Sequence, residues 1–248
     1  MKFLCVSDQI DPLVYSSQIK ERFKDIDAVL CAGDLPMDYI DYIVSSLNKP
    51  AYFVFGNHNL TEFSYYHKIK QHKGAHPTFT HEYTAYDYSM NHGATYAGFK
   101  VLKNKILKVR YNKKETPLLI AGASGSIRYN NGLSQYTNFQ MLVKLLKMSP
   151  ALFLNKIRYG RYCDIFLTHA SPRHIHDKED TCHKGFECFN WFIRRFKPKY
   201  LVHGHIHLYD MNTPRITVSH GTTVINAYSY VIIDLDYEND GNSQSGES

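Results

Sequence analysis

The sequence has no long apolar run, a single tryptophan and only five cysteines. No window approaches the ~20 apolar residues that a helix needs to cross a bilayer, so we expect no transmembrane segment. Met1 runs directly into an apolar stretch without a charged leader or cleavage site, and we therefore expect a soluble, cytoplasmic protein. The cysteines form an odd set without Cys-x-x-Cys spacing, which predicts reduced thiols rather than disulfides or a zinc site. They are Cys5, Cys31, Cys163, Cys182 and Cys188.

Blocks of like charge are also missing. The formal net charge is +6 over 248 residues, with 44% hydrophobic and 21% charged residues, which is an ordinary globular composition. This mild excess is compatible with an anionic substrate, but simple solubility explains it better. The length fits one domain with a sizeable core. We place that domain at residues 1–236 and expect the polar residues 237–248 to form a disordered tail.

Short apolar runs alternate with helical spacing in the first third of the chain. Phe3–Val6, Ala28–Cys31 and Ala51–Phe55 have the length and composition of buried strands. Between the last two, Met37–Leu47 carries apolar residues at helical spacing and stops before Pro50. This alternation predicts an α/β unit with a parallel sheet.

The remaining chain gives weaker structural signals. Apolar spacing predicts helices at Phe139–Leu146 and Phe186–Phe196, with a strand at Ile165–Leu167 between them. Residues 61–92 are rich in aromatics and histidines without a period, and we interpret them as a surface excursion and a possible lid. Three closely spaced β-branched runs predict an antiparallel meander: Ile216–Ser219, Thr222–Asn226 and Tyr230–Leu235.

The stretch Leu201–His207 ends an apolar run in a glycine and two further histidines, His205 and His207. Imidazole is the commonest side-chain metal ligand, and Gly204 permits the bend that turns both rings into one cleft. The sequence contains fourteen histidines, so a His-x-His pair alone is a weak signal. Its significance depends on what else converges on the same place.

Several other strands also end in metal-ligand residues. In open α/β sheets, ligands bind outside the carboxyl ends of the strands. Carboxylate, amide and imidazole groups suit Mn²⁺, Fe or Zn²⁺. One such residue is ordinarily a turn or cap residue, but five strand ends of this kind are hard to assign to packing. The set is Asp8, Asp34, Asn57, His58, His169, His205 and His207.

The combined pattern resembles the calcineurin-like metallophosphoesterases. It covers residues 7–207 with five motifs in the family's order: Ser7-Asp8, Gly33-Asp34, Gly56-Asn57-His58, Thr168-His169 and Gly204-His205-Ile206-His207. The resemblance implies an α/β fold, a four-layer α/β/β/α sandwich of mixed sheets. It also implies a two-metal centre at the carboxyl ends of the strands.

The resemblance implies a role for each matching residue. Asp8 and His207 would bind the first ion, and Asp34 would bridge both ions. The second ion would take Asn57, His169 and His205, whereas His58 would stand over the leaving group as general acid. Two divalent ions held ~3.5–4 Å apart can clamp a displacement at phosphorus and supply an activated water.

The first motif departs from the family pattern. The family has Asp-x-His, and this sequence has Asp8-Gln9-Ile10, in which Ile10 cannot bind a metal. Three protein ligands still make a working site, but we expect a weaker first ion or a mononuclear centre. Asp11 could replace the missing ligand, and capping of the turn before Pro12 explains it equally well.

Two loops carry candidate substrate contacts. Arg128 follows a Ser-Gly-Ser turn that offers backbone amides beside a guanidinium, although an ordinary turn with a surface arginine is an equal interpretation. Between the His169 and His205 motifs lie His176, Asp177 and Lys184, for which a solvated loop is the safer interpretation.

These residues predict a metallophosphoesterase that hydrolyses a phosphomonoester, phosphodiester or pyrophosphate with metal-activated water. Its partner would be a small phosphorylated substrate, with nucleotides among the candidates, and we expect no membrane partner. The alternative is a scaffold on the same fold with a decayed metal centre, which the loss at Ile10 favours and the retained His58 disfavours. A nucleic-acid partner rests only on Lys103, Lys105, Lys108 and Arg110, and we do not expect one.

Overall fold

The computed structural model describes residues 1–58, 60–67, 93–210 and 212–237. Residues 238–248 of the predicted tail 237–248 and residues 68–92 of the predicted lid lie outside them, and the 1–236 domain boundary stays a prediction. Tyr237, the first residue of the predicted tail, is described and donates to Asp164. The helices are α1 (Ile19–Arg22), α2 (Met37–Leu47), α3 (Phe63–Tyr66), α4 (Asn138–Tyr159) and α5 (Glu187–Phe196). The strands are β1 (Lys2–Ser7), β2 (Ala28–Cys31), β3 (Ala51–Phe53), β4 (Ala94–Tyr96), β5 (Val101–Tyr111), β6 (Lys114–Ala123), β7 (Ser126–Ile127), β8 (Gln135–Tyr136), β9 (Ile165–Thr168), β10 (Tyr200–His203), β11 (Ile216–Ser219), β12 (Thr222–Asn226) and β13 (Ser229–Asp234).

The first sheet has the strand order β13-β1-β2-β3-β4. Strands β1 to β4 are parallel, as the alternating pattern predicts, and β13 pairs antiparallel with β1. The register sets Val6 beside Cys31 and Cys31 beside Phe53. The residues that follow β1, β2 and β3 therefore leave the sheet at the same edge.

The second sheet has the order β11-β12-β10-β9-β6-β5. Its four central strands are parallel, and both edge strands are antiparallel to their neighbours. The predicted meander is wrong in its last member, because β13 pairs with β1 of the first sheet and only β11 and β12 form a hairpin. The period-two pattern identifies a strand but does not say which open edge accepts it.

Three apolar clusters divide the molecule into layers. The central one lies between the sheets and includes Phe3 and Leu30 from the first sheet and Ile120 and Leu167 from the second. Helices α1, α2 and α3 cover the outer face of the first sheet, and α4 and α5 cover that of the second. The order helix, sheet, sheet, helix confirms the predicted fold class. Within the described ranges no helix is both long and apolar enough to cross a bilayer.

Helix α4 is much longer than the predicted Phe139–Leu146. It begins at a capping box in which Thr137 accepts from the Gln140 backbone and the Gln140 side chain accepts from Thr137. It continues past Pro150 because Met148 and Leu152 extend its buried face. Pro150 forfeits one backbone hydrogen bond, but the apolar burial on either side outweighs that cost.

A buried ion pair lies between the end of α4 and the start of β9. Asp164 is fully buried and accepts from the Arg161 guanidinium, with Nη2 2.9 Å from Oδ2. The same carboxylate accepts from the backbone of Leu119 at 2.8 Å and the hydroxyl of Tyr237 at 2.7 Å. Both oxygens of this buried charge are thus satisfied, as burial of a carboxylate requires.

Candidate metal centre

The carboxyl ends of parallel strands from both sheets meet at one place. Asp8 follows β1, Asp34 follows β2, His169 follows β9 and His205 lies two residues beyond β10. Backbone hydrogen bonds join these loops, from Asp8 to the Gly33 carbonyl at 3.1 Å and from Gly204 to the His169 carbonyl at 3.0 Å. The fold alone therefore brings together side chains that are far apart in sequence.

Three of these residues have a left-handed backbone. The φ angles are +64° at Asp8, +54° at Asp34 and +68° at His205. This region is uncommon for residues other than glycine, and such strain collects at functional sites where the surroundings enforce it. All three residues lie in the loops that these backbone hydrogen bonds join.

Two oxygen acceptors converge on the ring of His169. The ring is fully buried, and its Nδ1 donates to the Ala32 carbonyl at 2.8 Å. Its Nε2 then faces Asn57 Oδ1 at 3.2 Å and Asp34 Oδ2 at 3.3 Å. Ligands of one ion at 2.0–2.1 Å in tetrahedral geometry lie about 3.4 Å apart, so these separations suit a shared cation.

Without a cation, a proton must separate these acceptors. Burial alone would lower the pKa of His169, but the charge and hydrogen bond of Asp34, the charge of Asp8 and the Ala32 carbonyl together outweigh it and raise the pKa to about 9. Burial likewise opposes ionisation of Asp34, yet the charge and hydrogen bond of His169 hold the pKa of this carboxyl well below its ordinary value. The pocket is therefore built for positive charge, and a divalent ion can replace the proton on Nε2.

His205 completes this half of the site. Its Nε2 donates to the Cys182 carbonyl at 2.7 Å, which leaves Nδ1 with a lone pair. Burial and the nearby charge of His169 lower the pKa of His205 to about 3, so the ring stays neutral. Ligand atoms of Asp34, His169 and His205 all lie within 4.8 Å of one another. These three side chains could hold one ion together with the Asn57 oxygen.

The other half of the site is more open. The Asp8 carboxylate accepts the His205 backbone N–H at 3.0 Å and the Ser7 hydroxyl at 2.5 Å. Burial raises its pKa, and the negative charge of Asp34 adds to the effect. His207 Nε2 lies 3.9 Å from Asp8 Oδ1, and its side chain is 39% exposed. The Asp8 and His207 pair can approach a second ion, but less of the protein encloses it.

His58 is exposed beside this centre. Its backbone N–H donates to Asp34 Oδ1 at 2.7 Å, which fixes the orientation of that carboxylate. The imidazole itself points to solvent, whereas the preceding side chain, Asn57, is buried. Asn57 therefore lies in the interior of the site, and the adjacent His58 lies at its solvent-exposed edge.

Comparison with known proteins agrees with this arrangement. Residues 1–209 match the sequence model of a family described as calcineurin-like phosphoesterase. The chain belongs to the calcineurin-like phosphoesterases. Membership supports metal-dependent hydrolysis of phosphoesters as the general class of reaction and divalent metals as the general cofactor. No curated protein sequence matches the chain.

Solved structures of low sequence identity are similar to this calcineurin-like phosphoesterase. TT1561 of Thermus thermophilus is 13% identical with a TM-score of 0.56, covering 92% of this chain and 89% of its own. The calcineurin-like phosphoesterase YfkN of Bacillus subtilis is 11% identical with a TM-score of 0.41, covering 96% of this chain and 86% of its own. The similarity to TT1561 shows a shared fold, and it does not indicate a substrate.

Two glycines make room for the candidate metal-ligand side chains of this phosphoesterase. A Cβ added at Gly56 would lie 2.0 Å from Asp34 Oδ1 and 2.7 Å from His169 Cε1. At Gly204 it would lie 2.4 Å from Asp8 Oδ2. The glycines of these motifs are thus required by the close approach of carboxylates and not only by the turns.

Gly56→Ala should therefore weaken metal binding although it removes no ligand. The added methyl displaces the Asp34 carboxylate from His169, and we expect metal affinity to fall by about 10–100-fold. Titration of the metal-free variant by calorimetry measures this. Gly221→Ala is the control for backbone strain alone, because its φ is +80° and nothing lies within 4 Å of its added Cβ. Equal affinity in the Gly56 variant and the wild type would show that Asp34 is not a ligand.

Two predicted residues have other partners. Both Asp11 oxygens accept hydrogen bonds, Oδ1 from the Leu13 backbone at 2.8 Å and Oδ2 from the Ser229 hydroxyl. These contacts are those of a turn cap, and the use of Asp11 as an extra metal ligand stays a prediction. Arg128 is exposed and donates to Gln140 on α4 at 3.1 Å, which favours the interpretation of a surface arginine.

Hydrogen bonds brace part of the loop after β9, whereas residues 178–181 and Lys184 are exposed. His176 Nδ1 bonds to His203 Nε2 at 2.9 Å and its Nε2 bonds to the Thr217 hydroxyl at 2.8 Å. Asp177 accepts from Arg173 at 2.6 Å and from the Gly185 backbone at 3.0 Å. These contacts support the loop, and the predicted substrate roles of His176 and Asp177 stay predictions. Lys184 is exposed on the same loop, and its role stays a prediction.

Sequence reasoning missed the groups that orient the candidate ligands. The Tyr129 hydroxyl accepts from Asn57 Nδ2 at 3.1 Å and thereby turns the amide oxygen toward His169. Tyr209 bonds to His207 Nδ1 at 2.7 Å, and the ring of Tyr228 stacks on the same imidazole. No sequence pattern marks these partners, because only the fold brings them near the centre. Tyr129 directly follows the predicted Arg128, which was the nearest available signal.

Proposed function

We propose that this chain hydrolyses a phosphoester of a small molecule, a phosphomonoester, phosphodiester or pyrophosphate, with nucleotides among the candidate substrates. The observation that carries the proposal is the approach of Asp34 Oδ2 and Asn57 Oδ1 to within 3.3 Å of His169 Nε2, at the ends of strands from two sheets. Such a cluster of acceptors has no packing function, and it fits a divalent cation.

We assign the ligands by matching the family motifs to this geometry. Asn57, His169 and His205 would hold one ion, Asp8 and His207 the other, and Asp34 would bridge the two. The mixed oxygen and nitrogen donors suit Mn²⁺, Fe or Zn²⁺. When bound, such ions polarise the phosphoryl oxygens and supply an activated water for in-line attack.

The protein's own groups would position and protonate the substrate. The His58 backbone holds Asp34 at 2.7 Å, so the same residue connects the ion site to the open face. The exposed His58 imidazole can reach a leaving-group oxygen there and donate its proton to it. The mouth between His58 and the loop that carries Lys184 is where we expect the ester to bind.

The first ion site is the weaker one in this proposal. Ile10 stands where the family places a histidine, and its side chain is 44% exposed. His207 is then the imidazole that the family pattern leaves for this ion, and it is open to solvent. A mononuclear centre, or a labile first ion, follows from this loss.

Replacing His207 with alanine should empty the first site and leave the second occupied. The ligands of the second ion do not include this residue and are held by separate contacts with Ala32, Tyr129 and Cys182. Elemental analysis of the Mn²⁺-loaded variant should find about one ion fewer per chain than in the wild type. A metal content of zero would mean that the two ions are not held independently.

Two other functions have less support. A non-catalytic scaffold that has lost its metal centre is favoured by Ile10 alone. That function does not explain why an exposed His58 lies beside Asp34. A nucleic-acid partner would need a basic track at the centre. The candidates Lys103, Lys105, Lys108 and Arg110 lie instead on β5, an edge strand of the second sheet.

The test of the proposal is hydrolysis of p-nitrophenyl phosphate and bis-p-nitrophenyl phosphate by the metal-depleted protein, with and without added Mn²⁺. We expect Mn²⁺ to restore turnover of at least one ester, and the preferred ester distinguishes a monoesterase from a diesterase. No turnover of either, together with no bound transition metal, would leave the scaffold as the better interpretation.

A further inference from the structure

A second cluster of metal-ligand groups lies on the loop between β9 and α5. It consists of Asp180, Cys182 and His183, whose ligand atoms all lie within 4.8 Å of one another. Cys182 Sγ is 3.0 Å from Asp180 Oδ1 and 3.2 Å from His183 Nδ1. His183 Nδ1 is in turn 2.8 Å from Asp180 Oδ1. None of the three belongs to the strand-end centre described above.

We propose that Asp180, Cys182 and His183 form a separate binding site for a thiophilic divalent ion, with Zn²⁺ as the best fit. Thiolate, imidazole and carboxylate are the three ligand types of protein zinc sites. In a tetrahedral site, ligands at Zn–S ≈ 2.3 Å and Zn–N or Zn–O ≈ 2.0–2.1 Å lie about 3.3–3.6 Å apart. The observed 2.8–3.2 Å needs only a small outward shift of these side chains.

The backbone already holds the carboxylate in place for such an ion. Asp180 Oδ1 accepts the backbone N–H groups of Cys182 at 3.2 Å and His183 at 3.0 Å. The cluster is partly exposed, with 48% of the Asp180 side chain and 30% of the His183 side chain accessible. An ion can therefore enter from solvent, and water can complete the fourth position.

Metal binding at this site requires loss of the thiol proton. Partial burial and the adjacent Asp180 carboxylate raise the pKa of Cys182, so the metal-free thiol stays protonated near neutral pH. A coordinated thiol is deprotonated outright, and binding therefore releases one proton from Sγ to the buffer. The sulfur then donates its electron pair to the ion, with no change of oxidation state.

This cluster is joined to the strand-end centre by one backbone group. The Cys182 carbonyl accepts from His205 Nε2 at 2.7 Å, and the His183 ring lies 5.3 Å from the His205 ring. An ion on the loop would fix the segment that orients His205. Metal binding at the loop cluster can therefore influence the strand-end centre through His205, although the two sites share no ligand.

Cobalt spectroscopy distinguishes the two sites because only the loop cluster contains sulfur. Metal-free protein is titrated with Co²⁺ at neutral pH, and the near-ultraviolet thiolate-to-cobalt charge-transfer band is recorded. We expect the band in the wild type, its loss in Cys182→Ser, and its displacement by Zn²⁺. Cys188→Ser, which alters a buried thiol on α5, should keep the band.

Two further variants test the site independently, in case the Cys182→Ser protein does not fold. Asp180→Asn and His183→Gln should each require more Co²⁺ to develop the same band. Absence of the band in the wild type at saturating Co²⁺, or its persistence in folded Cys182→Ser, would overturn the proposal. The band does not depend on turnover, so its failure is distinct from failure of the phosphoesterase assay.

Discussion

Replacing His58 with alanine is expected to lower kcat by about 10²–10⁴-fold while metal content stays unchanged. The imidazole is exposed at the mouth of the site, and only the backbone of this residue contacts Asp34. Alanine keeps that N–H group, so the Asp34 carboxylate should retain its position. The loss should therefore fall on protonation of the leaving group and not on ion binding.

The dependence on the leaving group separates this role from a structural one. Esters of p-nitrophenol leave readily without a proton, so their hydrolysis should fall less than that of alkyl esters. His220→Ala is the matched control. This exposed histidine lies in the β11–β12 turn, at the opposite end of β12 from the centre. A variant at His58 that loses metal, or that slows both ester types equally, would show that the assigned role is wrong.

Asp164→Ala should lower the free energy of unfolding by about 3–5 kcal/mol, the usual cost of leaving one member of a buried ion pair without its partner. The Arg161 side chain is 6% exposed and Asp164 is fully buried. The substitution also removes the acceptor for the Leu119 backbone and the Tyr237 hydroxyl. Urea unfolding followed by circular dichroism measures the change.

An exposed pair with the same spacing provides the control. Lys24 and Glu21 are also three residues apart and form an ion pair at 3.2 Å, but their side chains are 63% and 82% exposed. Glu21→Ala should cost no more than about 1 kcal/mol, since solvent screens surface pairs. Similar losses in both variants would show that burial does not govern the strength of the Asp164 pair.

The sequence predicts those parts of the molecule that local pattern determines. The short apolar runs before Asp8, Asp34 and His169 are buried strands, and parallel pairing brings their ends together. The family motifs then identify the candidate ligand set without any coordinates. Pattern fails where several partners are equally compatible, as for β13, whose β-branched residues fit an open edge of either sheet.

The missed features depend on contacts between distant segments. Tyr129 orients Asn57, and the carbonyl of Cys182 orients His205, yet neither residue type nor spacing marks such a role. The absence of Cys-x-x-Cys spacing likewise argues against a cysteine-based zinc site. The folded loop nevertheless places Cys182 against Asp180 and His183, because adjacent ligands on a turn can converge without that motif.

The central claim is that residues at the strand ends hold catalytic divalent ions, and Asp34→Asn tests it most directly. The substitution keeps the shape of the side chain but removes the negative charge that faces His169. Mn²⁺ bound per chain is measured by elemental analysis after equilibration, with circular dichroism to verify the fold. We predict that the wild type takes up Mn²⁺ and that folded Asp34→Asn loses most of it. Equal Mn²⁺ uptake by both proteins would contradict the account.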